Sequence, residues 1–205
     1  MASLEIESHY KGLVGGVDEA GRGPWAGPVV AAAAVFLDSS SLPPSLLNGI
    51  RDSKKLSKMK RENLYQELMA LEPFNYGIGM ASVEEIDRLN ILQATFLAME
   101  RAVHSLAQRP ATLLIDGKHT PSFQGIKAIP VISGDDISLS IAAASILAKV
   151  SRDLIMKNLA AAYPVYGWER NAGYGTPYHQ DALKTHGITP HHRKSFAPIK
   201  KLIEF

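Results

Sequence analysis

The stretch GVDEAGRGPWAGPVV, from Gly16 to Val30, determines the fold that we predict for this chain. An apolar run ends at Val17, and two acids, Asp18 and Glu19, follow at once. A glycine-flanked cation and a second apolar run complete the stretch. Apolar runs rich in Val and Ala, separated by Gly and Pro, are typical of two buried strands joined by a turn. The sequence therefore predicts acidic residues at the end of the first buried strand.

Outward from this stretch, segments typical of strands and of helices alternate along the chain. We predict strands at residues 13–17, 29–37, 74–80, 112–115 and 128–132. We predict helices at 58–71, 82–107 and 138–162, with short helices near 178–185 and 198–204. The predicted fold class is therefore α/β, with a mostly helical C-terminal segment at 163–205. A length of 205 residues suits one domain, so we expect 1–205 to fold as a single domain.

Composition excludes several classes of protein. The chain has no cysteine, which excludes disulfides and thiolate zinc sites. No apolar run approaches the roughly 20 residues of a membrane-spanning helix, and no secretory signal pattern is present. We therefore expect a cytoplasmic protein that has no membrane partner. The net charge of +2 is too small to identify a nucleic-acid-binding protein by itself.

The cations are nevertheless concentrated in two clusters along the chain. The first cluster comprises Lys54, Lys55, Lys58, Lys60 and Arg61, and the second comprises Arg193, Lys194, Lys200 and Lys201. Such clusters form either a solvated surface or a surface that faces phosphate groups, and both interpretations are open. His191 and His192 adjoin the second cluster. Neighbouring residues of a helix or strand do not usually reach one ion, so we predict no metal site at these histidines.

Three acidic positions share one setting, and the first of them lies in the opening stretch. Asp18 and Asp116 each follow an apolar strand-like run directly, and Asp135 lies just beyond another, at 128–132. Any one of these acids could simply be a turn residue or a helix cap. In open α/β sheets, however, functional sites form at the carboxyl ends of the strands. If the strands are neighbours, the three carboxylates converge.

Together with Glu19, these acids predict a metal site. Clustered carboxylates repel one another unless a cation neutralises them. Oxygen ligands without His or Cys suit magnesium or manganese rather than zinc. Two such ions, about 4 Å apart, can activate water and stabilise a leaving oxygen at a phosphodiester. Because Asp18 and Glu19 would point to opposite faces of a regular strand, we expect the chain to twist, bulge or end there.

With these residues placed, the sequence resembles the bacterial ribonuclease HII family, the type 2 ribonucleases H, over residues 14–196. The matching blocks are GVDEAGRGPWAGPVV, DSKKLS, EIDRLNILQAT, LLIDG, SLSIAAASILAKVSRD and GYGT with His179 after it. The resemblance implies a ribonuclease H-like fold, in which helices flank a mixed central sheet. The sister type, ribonuclease HIII, carries an extra N-terminal domain, and the short segment before the first predicted strand favours type HII.

The resemblance also implies which residues carry the chemistry. Asp18, Glu19, Asp116 and Asp135 match the family's four catalytic, metal-ligating carboxylates, with Mn²⁺ or Mg²⁺ as the cofactor and two ions at the site. Asp135 is preferred because the family's acid directly follows a glycine, and Asp136 stays open as the alternative.

A second set of residues is implied to bind nucleic acid. This set comprises Gly21, Arg22, Gly23, Ser53, Lys54, Lys55, Lys149 and Tyr174. In the family, the Gly21–Gly23 segment helps to detect the ribose 2′-hydroxyl that distinguishes RNA from DNA. Glycines allow such an approach because they have no Cβ. Tyr174 is implied to pack on the sugar at an RNA–DNA junction, and Lys149 and Arg152, three residues apart on a helix, are expected either to face phosphates or to be solvated.

The leading hypothesis is a metal-dependent endonuclease that cuts the RNA strand of RNA–DNA hybrids and single ribonucleotides within duplex DNA. The alternatives are another ribonuclease H-like metal nuclease, such as a DNA exonuclease or recombinase, and a non-catalytic hybrid-binding module. The expected partners are an RNA–DNA hybrid and a ribonucleotide-containing DNA duplex, and we expect a monomer. The tail at 199–205 faintly resembles a peptide that binds a sliding clamp, but helical packing is the favoured interpretation.

Overall fold

In the computed structural model, which describes residues 2–38, 42–50 and 53–204, the five predicted strands join into one sheet. The strands are β1 (Val14–Ala20), β2 (Val29–Phe36), β3 (Phe74–Ala81), β4 (Thr112–Asp116) and β5 (Lys127–Val131). Their order across the sheet is β3-β2-β1-β4-β5. Strand β2 is antiparallel to both β1 and β3, whereas β4 pairs in parallel with β1 and with β5. The sheet is therefore mixed, with β1 at its centre. Asp52 of the DSKKLS block and Phe205 lie outside the described residues.

Helices occupy most of the described chain outside the sheet. They are α1 (Glu5–Ser8), α2 (Pro44–Gly49), α3 (Lys58–Ala70), α4 (Val83–Leu89), α5 (Ile91–His104), α6 (Gly134–Ile137), α7 (Leu139–Ala162), α8 (Trp168–Asn171), α9 (Pro177–His186) and α10 (Ala197–Ile203). Short 3₁₀ turns lie at Ser53–Lys55 and Pro164–Tyr166. None of the helices in the described part of the chain combines the length and the apolar character that crossing a membrane requires.

The two faces of β2 bury different halves of the core. Successive strand side chains point to opposite faces, and every residue of β2 is buried. The residues that pack with α3 and α7 on one face are Ala32, Ala34 and Phe36. Those that pack with α5 on the other face are Val29, Ala31, Ala33 and Val35. The central sheet therefore lies between two layers of helices, and the small alanine side chains of β2 let those layers pack closely against it.

One glycine in the opening stretch sets how α7 crosses the sheet. A Cβ on Gly16 would lie 2.1 Å from the main chain at Ser140 and Ile141, where no side chain fits. The first turn of α7 therefore lies directly on β1. Because α6 immediately precedes α7, this contact brings Asp135 to the end of β1 that carries Asp18.

The structure corrects one predicted helix. The segment predicted as one helix at 82–107 is two helices, α4 and α5, separated at Asn90. Asn90 has φ 74°, and its side-chain oxygen accepts hydrogen bonds from the main-chain amides of Leu92 and Gln93. Asn tolerates the left-handed region and is a good N-cap, so it starts a second helix at a new angle.

The C-terminal segment packs on the second half of α7. Met156 of α7 forms a buried cluster with Tyr166, Trp168, Leu183 and Ile199. Ile199 is fully buried within α10, which is the helical packing favoured for the tail. The segment then lies beside the β1–β2 connection, where Arg193 donates its main-chain amide to the Trp25 carbonyl at 2.8 Å.

Candidate active site

Three acids converge where the parallel strands β1 and β4 end. Oxygen atoms of Asp18, Asp116 and Asp135 all lie within 4.8 Å of one another. Asp18 belongs to β1, Asp116 is the last residue of β4, and Asp135 lies in α6. A carboxylate oxygen of Asp116 accepts a hydrogen bond from the Gly134 amide at 2.8 Å, which ties the end of β4 to α6. The carboxyl ends of neighbouring strands thus assemble the cluster, as the sequence predicts.

The electrostatics of this cluster favour a bound cation. Burial raises the pKa of Asp18 well above its usual range, and the charges of Glu19 and Asp116 raise it further. Burial also raises the pKa of Glu19, which the neighbouring Arg22 guanidinium partly opposes. Buried carboxylates whose ionised forms are disfavoured become stable when a divalent ion neutralises them. The donors are hard oxygens, so the three-acid cluster fits Mg²⁺ or Mn²⁺.

Glu19 lies outside this three-acid cluster. The strand does not end at Asp18, because β1 keeps its register with β2 as far as the pair Ala20–Val30. Side chains therefore continue to alternate, and the Glu19 carboxylate lies 3.3 Å from Nη1 of Arg22. An oxygen of Asp18 accepts the Glu19 main-chain amide at 2.7 Å. The structure places three of the four predicted carboxylates together and the fourth beside them.

The structure also separates Asp135 from the alternative, Asp136. Asp135 is buried in the three-acid cluster, and one of its oxygens lies 3.7 Å from Nζ of Lys54. The side chain of Asp136 is 41% exposed and pairs with Lys55. Geometry therefore places the residue after Gly134, not its neighbour, in the three-acid cluster.

A cleft of about 270 Å³ lies next to the carboxylates. Its lining residues are Glu19, Ala20, Gly21, Arg22, Gly23, Ser53, Lys54, Ser145, Lys149, Arg152 and Tyr174. Seven of the eight predicted nucleic-acid-binding residues are among them, and the eighth, Lys55, points to Asp136 instead. Ser53 is buried and accepts a hydrogen bond from the Ser145 hydroxyl at 2.8 Å. The cleft thus joins segments that are far apart in the sequence.

Hydrogen bonds fix the main chain of Tyr174, whereas its side chain is exposed. Its carbonyl accepts the Thr176 amide at 2.8 Å and lies 3.0 Å from Nδ1 of His179. The side chain is half exposed, and the ring lies against Gly23, where an added Cβ would be 3.4 Å from the ring. A rigid loop therefore presents an open aromatic face beside the glycine segment.

Two predictions about cations are wrong. Arg152 does not face phosphates: it is 1% exposed, and its guanidinium donates to the carbonyls of Ala26, Pro28 and Ala172. Arg193, assigned to a solvated or phosphate-facing cluster, is fully buried. A sequence does not distinguish a buried arginine from an exposed one when its partners are main-chain carbonyls, because carbonyls carry no residue signature.

The histidines of the C-terminal segment form no metal pair. His192 turns inward, where its Nε2 lies 3.0 Å from Nε2 of His179, and its Nδ1 accepts the Thr189 amide at 2.8 Å. Burial, and then the nearby His179, lower the pKa of His192 to about 4, so it is neutral near pH 7. The ring of His191 packs instead against Tyr163, at 5.2 Å between centroids. The adjacent side chains of His191 and His192 thus point in different directions.

Sequence reasoning missed Glu7. One of its oxygens accepts hydrogen bonds from the Ser138 hydroxyl at 2.7 Å and from the amide and hydroxyl of Ser140 at 3.0 and 2.7 Å. Ser138 and Ser140 form the first turn of α7, next to α6 with Asp135. The N-terminal segment therefore anchors the helix junction that positions the third acid. Glu7 lies outside any apolar pattern, so the sequence offers no signal for this role.

We expect the Asp18→Asn variant to melt at a higher temperature than the wild-type protein at pH 8 in the presence of a chelator. A carboxyl whose folded-state pKa is raised contributes stability below its unfolded pKa, and this contribution is lost as pH rises through the folded pKa. The neutral Asn side chain avoids that loss of stability, and its oxygen can still accept a hydrogen bond from the Glu19 main-chain amide. Each kcal/mol relieved raises the melting temperature by about 2–4 °C.

Thermal melts at pH 5 and pH 8 test this expectation, with the exposed Asp181→Asn as the control. The advantage of Asp18→Asn should shrink at pH 5, and added Mn²⁺ should stabilise the wild type more than the variant. Equal melting temperatures for the wild type and Asp18→Asn at pH 8 in chelator would contradict the described electrostatics.

The chain is similar to ribonucleases HII over nearly its whole length. The family model described as Ribonuclease HII matches residues 15–199. Ribonuclease HII of Paramagnetospirillum magneticum is 56% identical over 205 residues, which cover 100% of both chains. Ribonuclease HII of Gluconobacter oxydans is 54% identical over 207 residues, which cover 100% of this chain and 97% of the relative.

Solved structures show the same fold. The crystal structure of ribonuclease H2 from Pyrococcus horikoshii matches with a TM-score of 0.77 at 28% identity, over 94% of this chain and 97% of that one. The RNase HII in a PCNA complex from Archaeoglobus fulgidus matches with a TM-score of 0.68 at 25% identity, over 88% and 93%. The mixed sheet between helical layers is therefore the predicted ribonuclease H-like fold. The chain belongs to the ribonuclease HII family of ribonuclease H endonucleases, which depend on divalent metal ions.

Proposed function

We propose that this protein hydrolyses the RNA strand of RNA–DNA hybrids and cuts on the 5′ side of single ribonucleotides in duplex DNA. One observation carries the proposal: the three-acid cluster adjoins a cleft that is lined by Gly21–Gly23 and Tyr174. A metal site suited to phosphodiesters thus lies beside groups that can contact a sugar. Family membership supports the same activity.

Asp18, Asp116 and Asp135 would hold the divalent ions, and Glu19 would complete the set from the edge of the cleft. Bound Mg²⁺ or Mn²⁺ would supply water activation and stabilisation of the leaving oxygen. Glu19 is already balanced by Arg22, which is 50% exposed and able to move toward a phosphate. The protein contributes a rigid, partly buried frame: β1 and β4 fix two acids, and α6 fixes the third.

The remaining cleft residues would position the substrate. Lys54 and Lys149 lie at the cleft with side chains 76% and 27% exposed, which suits contacts with phosphate oxygens. Such contacts set register and orientation but do not read the sugar. The main chain of Gly21–Gly23 and the ring of Tyr174 are the groups available for that task. A few groups that contact a single nucleotide would therefore detect the ribose.

Cleavage should leave a 3′-hydroxyl and a 5′-phosphate. Among the residues that line the described cleft, none is a histidine, so no imidazole is placed to deprotonate the ribose 2′-hydroxyl. Water is then the nucleophile, and the 2′-hydroxyl is read but not consumed. End-labelled products compared with alkaline and enzymatic ladders identify the ends. A 2′,3′-cyclic phosphate as the main product would refute this mechanism.

One assay tests the proposal as a whole. Three matched duplexes are incubated with the enzyme and Mn²⁺ or Mg²⁺: all-DNA, DNA with one ribonucleotide, and an RNA–DNA hybrid. We expect cleavage of the second and third, none of the first, and none in EDTA. Cutting of all-DNA would favour a different ribonuclease H-like nuclease, and binding without cutting would favour a hybrid-binding module. The monomeric state, the cytoplasmic location and a sliding-clamp contact stay predictions.

A further inference from the structure

The connection between β1 and β2 is held from inside by two buried guanidinium groups. Arg193 donates from Nε to the Gly27 carbonyl at 2.9 Å, from Nη1 to Arg22 at 2.9 Å, and from Nη2 to Gly21 at 2.6 Å and Pro28 at 3.2 Å. Arg152, described above, shares the Pro28 carbonyl and holds those of Ala26 and Ala172. Five of the eight carbonyls between residues 21 and 28 therefore bind a buried arginine.

Neither arginine forms an ion pair within the described part of the chain. Among the residues that the structure describes, no carboxylate oxygen lies within 4 Å of either guanidinium. Burial and then the neighbouring Arg152 lower the pKa of Arg193 to about 9, and burial lowers that of Arg152 to about 10. Both groups thus stay charged at pH 7 and keep all their donors. The guanidinium of Arg193 also lies 5.1 Å from the centroid of the Phe196 ring. A buried charge held by carbonyls without a carboxylate is costly, so the arrangement is unusual for a purely structural contact.

The geometry of the peptide bond gives these contacts a consequence at the cleft. In a planar trans peptide, the carbonyl of one residue and the amide of the next point in opposite directions. Arg193 draws the carbonyls of Gly21 and Arg22 inward, so the amides of Arg22 and Gly23 point outward. In the described part of the chain, no acceptor receives either amide. Both residues are exposed and line the cleft.

We propose that Arg193 is a positioning and specificity-determining residue, which fixes the Gly21–Arg22–Gly23 peptide planes so that two amides face the sugar-phosphate of a ribonucleotide. This inference rests on the proposed function and adds the residue that holds the Gly21–Arg22–Gly23 segment in place. A flexible glycine segment would lose entropy on binding, whereas a segment anchored by a planar, four-contact guanidinium is already ordered. The C-terminal segment thereby takes part in ribose recognition without touching the substrate.

Arg101 provides a control, because its guanidinium also ties distant segments together away from the cleft. It donates to both carboxylate oxygens of Glu85 and to the Met80 carbonyl, each at 2.7 Å. Arg152 is unsuitable, because it lines the cleft and lies against Gly21, where an added Cβ would be 2.0 Å from its Nε. Substituting Arg101 should cost stability without releasing the two cleft amides.

The experiment compares Arg193→Lys with Arg101→Lys, which both keep the charge but lose the planar fork. Three quantities are measured: kcat/KM on the single-ribonucleotide duplex, the Kd for an all-DNA duplex, and the Kd for Mn²⁺. We expect kcat/KM to fall by about tenfold to a hundredfold in Arg193→Lys, as for other misplaced positioning groups. Both Kd values should stay close to wild type. Arg101→Lys should retain most of the activity on the single-ribonucleotide duplex.

The opposite results would overturn the proposal. Equal losses of kcat/KM in the two variants, or a loss in Arg193→Lys matched by weaker Mn²⁺ or DNA binding, would mean that Arg193 is only structural. If the wild-type enzyme does not cut the single-ribonucleotide duplex at all, the proposed function fails instead. The two failures are thus distinguishable.

An NMR measurement covers the case in which Arg193→Lys does not fold. Amide exchange is followed in the Asp116→Asn protein, which should bind substrate without cutting it. The Arg22 and Gly23 amides should become protected by the single-ribonucleotide duplex and less so by all-DNA. Equal protection by both duplexes would overturn the role proposed for these amides and hence for Arg193.

Discussion

Replacing Asp116 by Asn should reduce cleavage roughly a thousandfold or more, because a bound ion supplies several kcal/mol of transition-state stabilisation. The substitution removes a charge from the three-acid cluster without removing bulk. The side-chain oxygen of Asn can still accept the hydrogen bond from the Gly134 main-chain amide, which ties β4 to α6. Duplex binding should persist, because Lys54 and Lys149 are untouched. Single-turnover cleavage and duplex binding are measured in chelator-cleaned buffer with the metal restored.

Asp136→Asn is the matched control for this variant. Asp136 lies one residue from the three-acid cluster but is exposed and paired with Lys55. Its substitution should leave the cleavage rate within a few fold of wild type. Wild-type turnover by Asp116→Asn would refute the assignment of the metal site, and a large loss in Asp136→Asn would reopen the choice between Asp135 and Asp136.

Replacing Tyr174 by Ala should slow cutting at a single ribonucleotide by about tenfold to a hundredfold, the range expected when one aromatic stacking partner is lost. The wild-type enzyme should reject all-DNA by roughly 10⁴-fold, because a site built to bind a hydroxyl is left unpaired without it. Phosphate contacts are shared by the two duplexes and do not discriminate. Tyr174→Ala should therefore lower the cleavage rate far more than it weakens duplex binding.

Two further variants sharpen this test. Tyr174→Phe keeps the ring against Gly23 and should be milder than Ala if ring packing dominates. Tyr178→Ala removes a similarly exposed tyrosine, which stacks with Arg170 away from the cleft, and should cut at the wild-type rate. The role assigned to Tyr174 is wrong if Tyr174→Ala cuts the single-ribonucleotide duplex as fast as the wild type.

Much of the site could be predicted because its signals are local. Each acid of the three-acid cluster lies at or just beyond an apolar run, and parallel strands bring such positions to one edge. The glycines at 21 and 23 and the tyrosine in GYGT are also local signals, and the structure brings them to one cleft. Glycine permits close approach wherever it occurs, so its meaning depends little on distant residues.

Other features could not be predicted because they depend on partners far along the chain. Arg152 and Arg193 bind carbonyls up to 172 residues away, and a carbonyl is available at every position. Glu7 reaches the first turn of α7 across 133 residues. The break at Asn90 was also missed, because the apolar spacing continues through it while the main chain changes direction.

The sequence by itself determined the strands, most of the helices, the acids at the strand ends and the family, because periodicity, capping and motif spacing are properties of short segments. Only the tertiary structure decided that Glu19 lies beside the other three acids rather than among them. It also decided that two arginines lie under the cleft rather than on its surface. The physical reason is that direction and burial are set by the register of paired strands and by packing between distant segments. No short stretch of sequence contains that information.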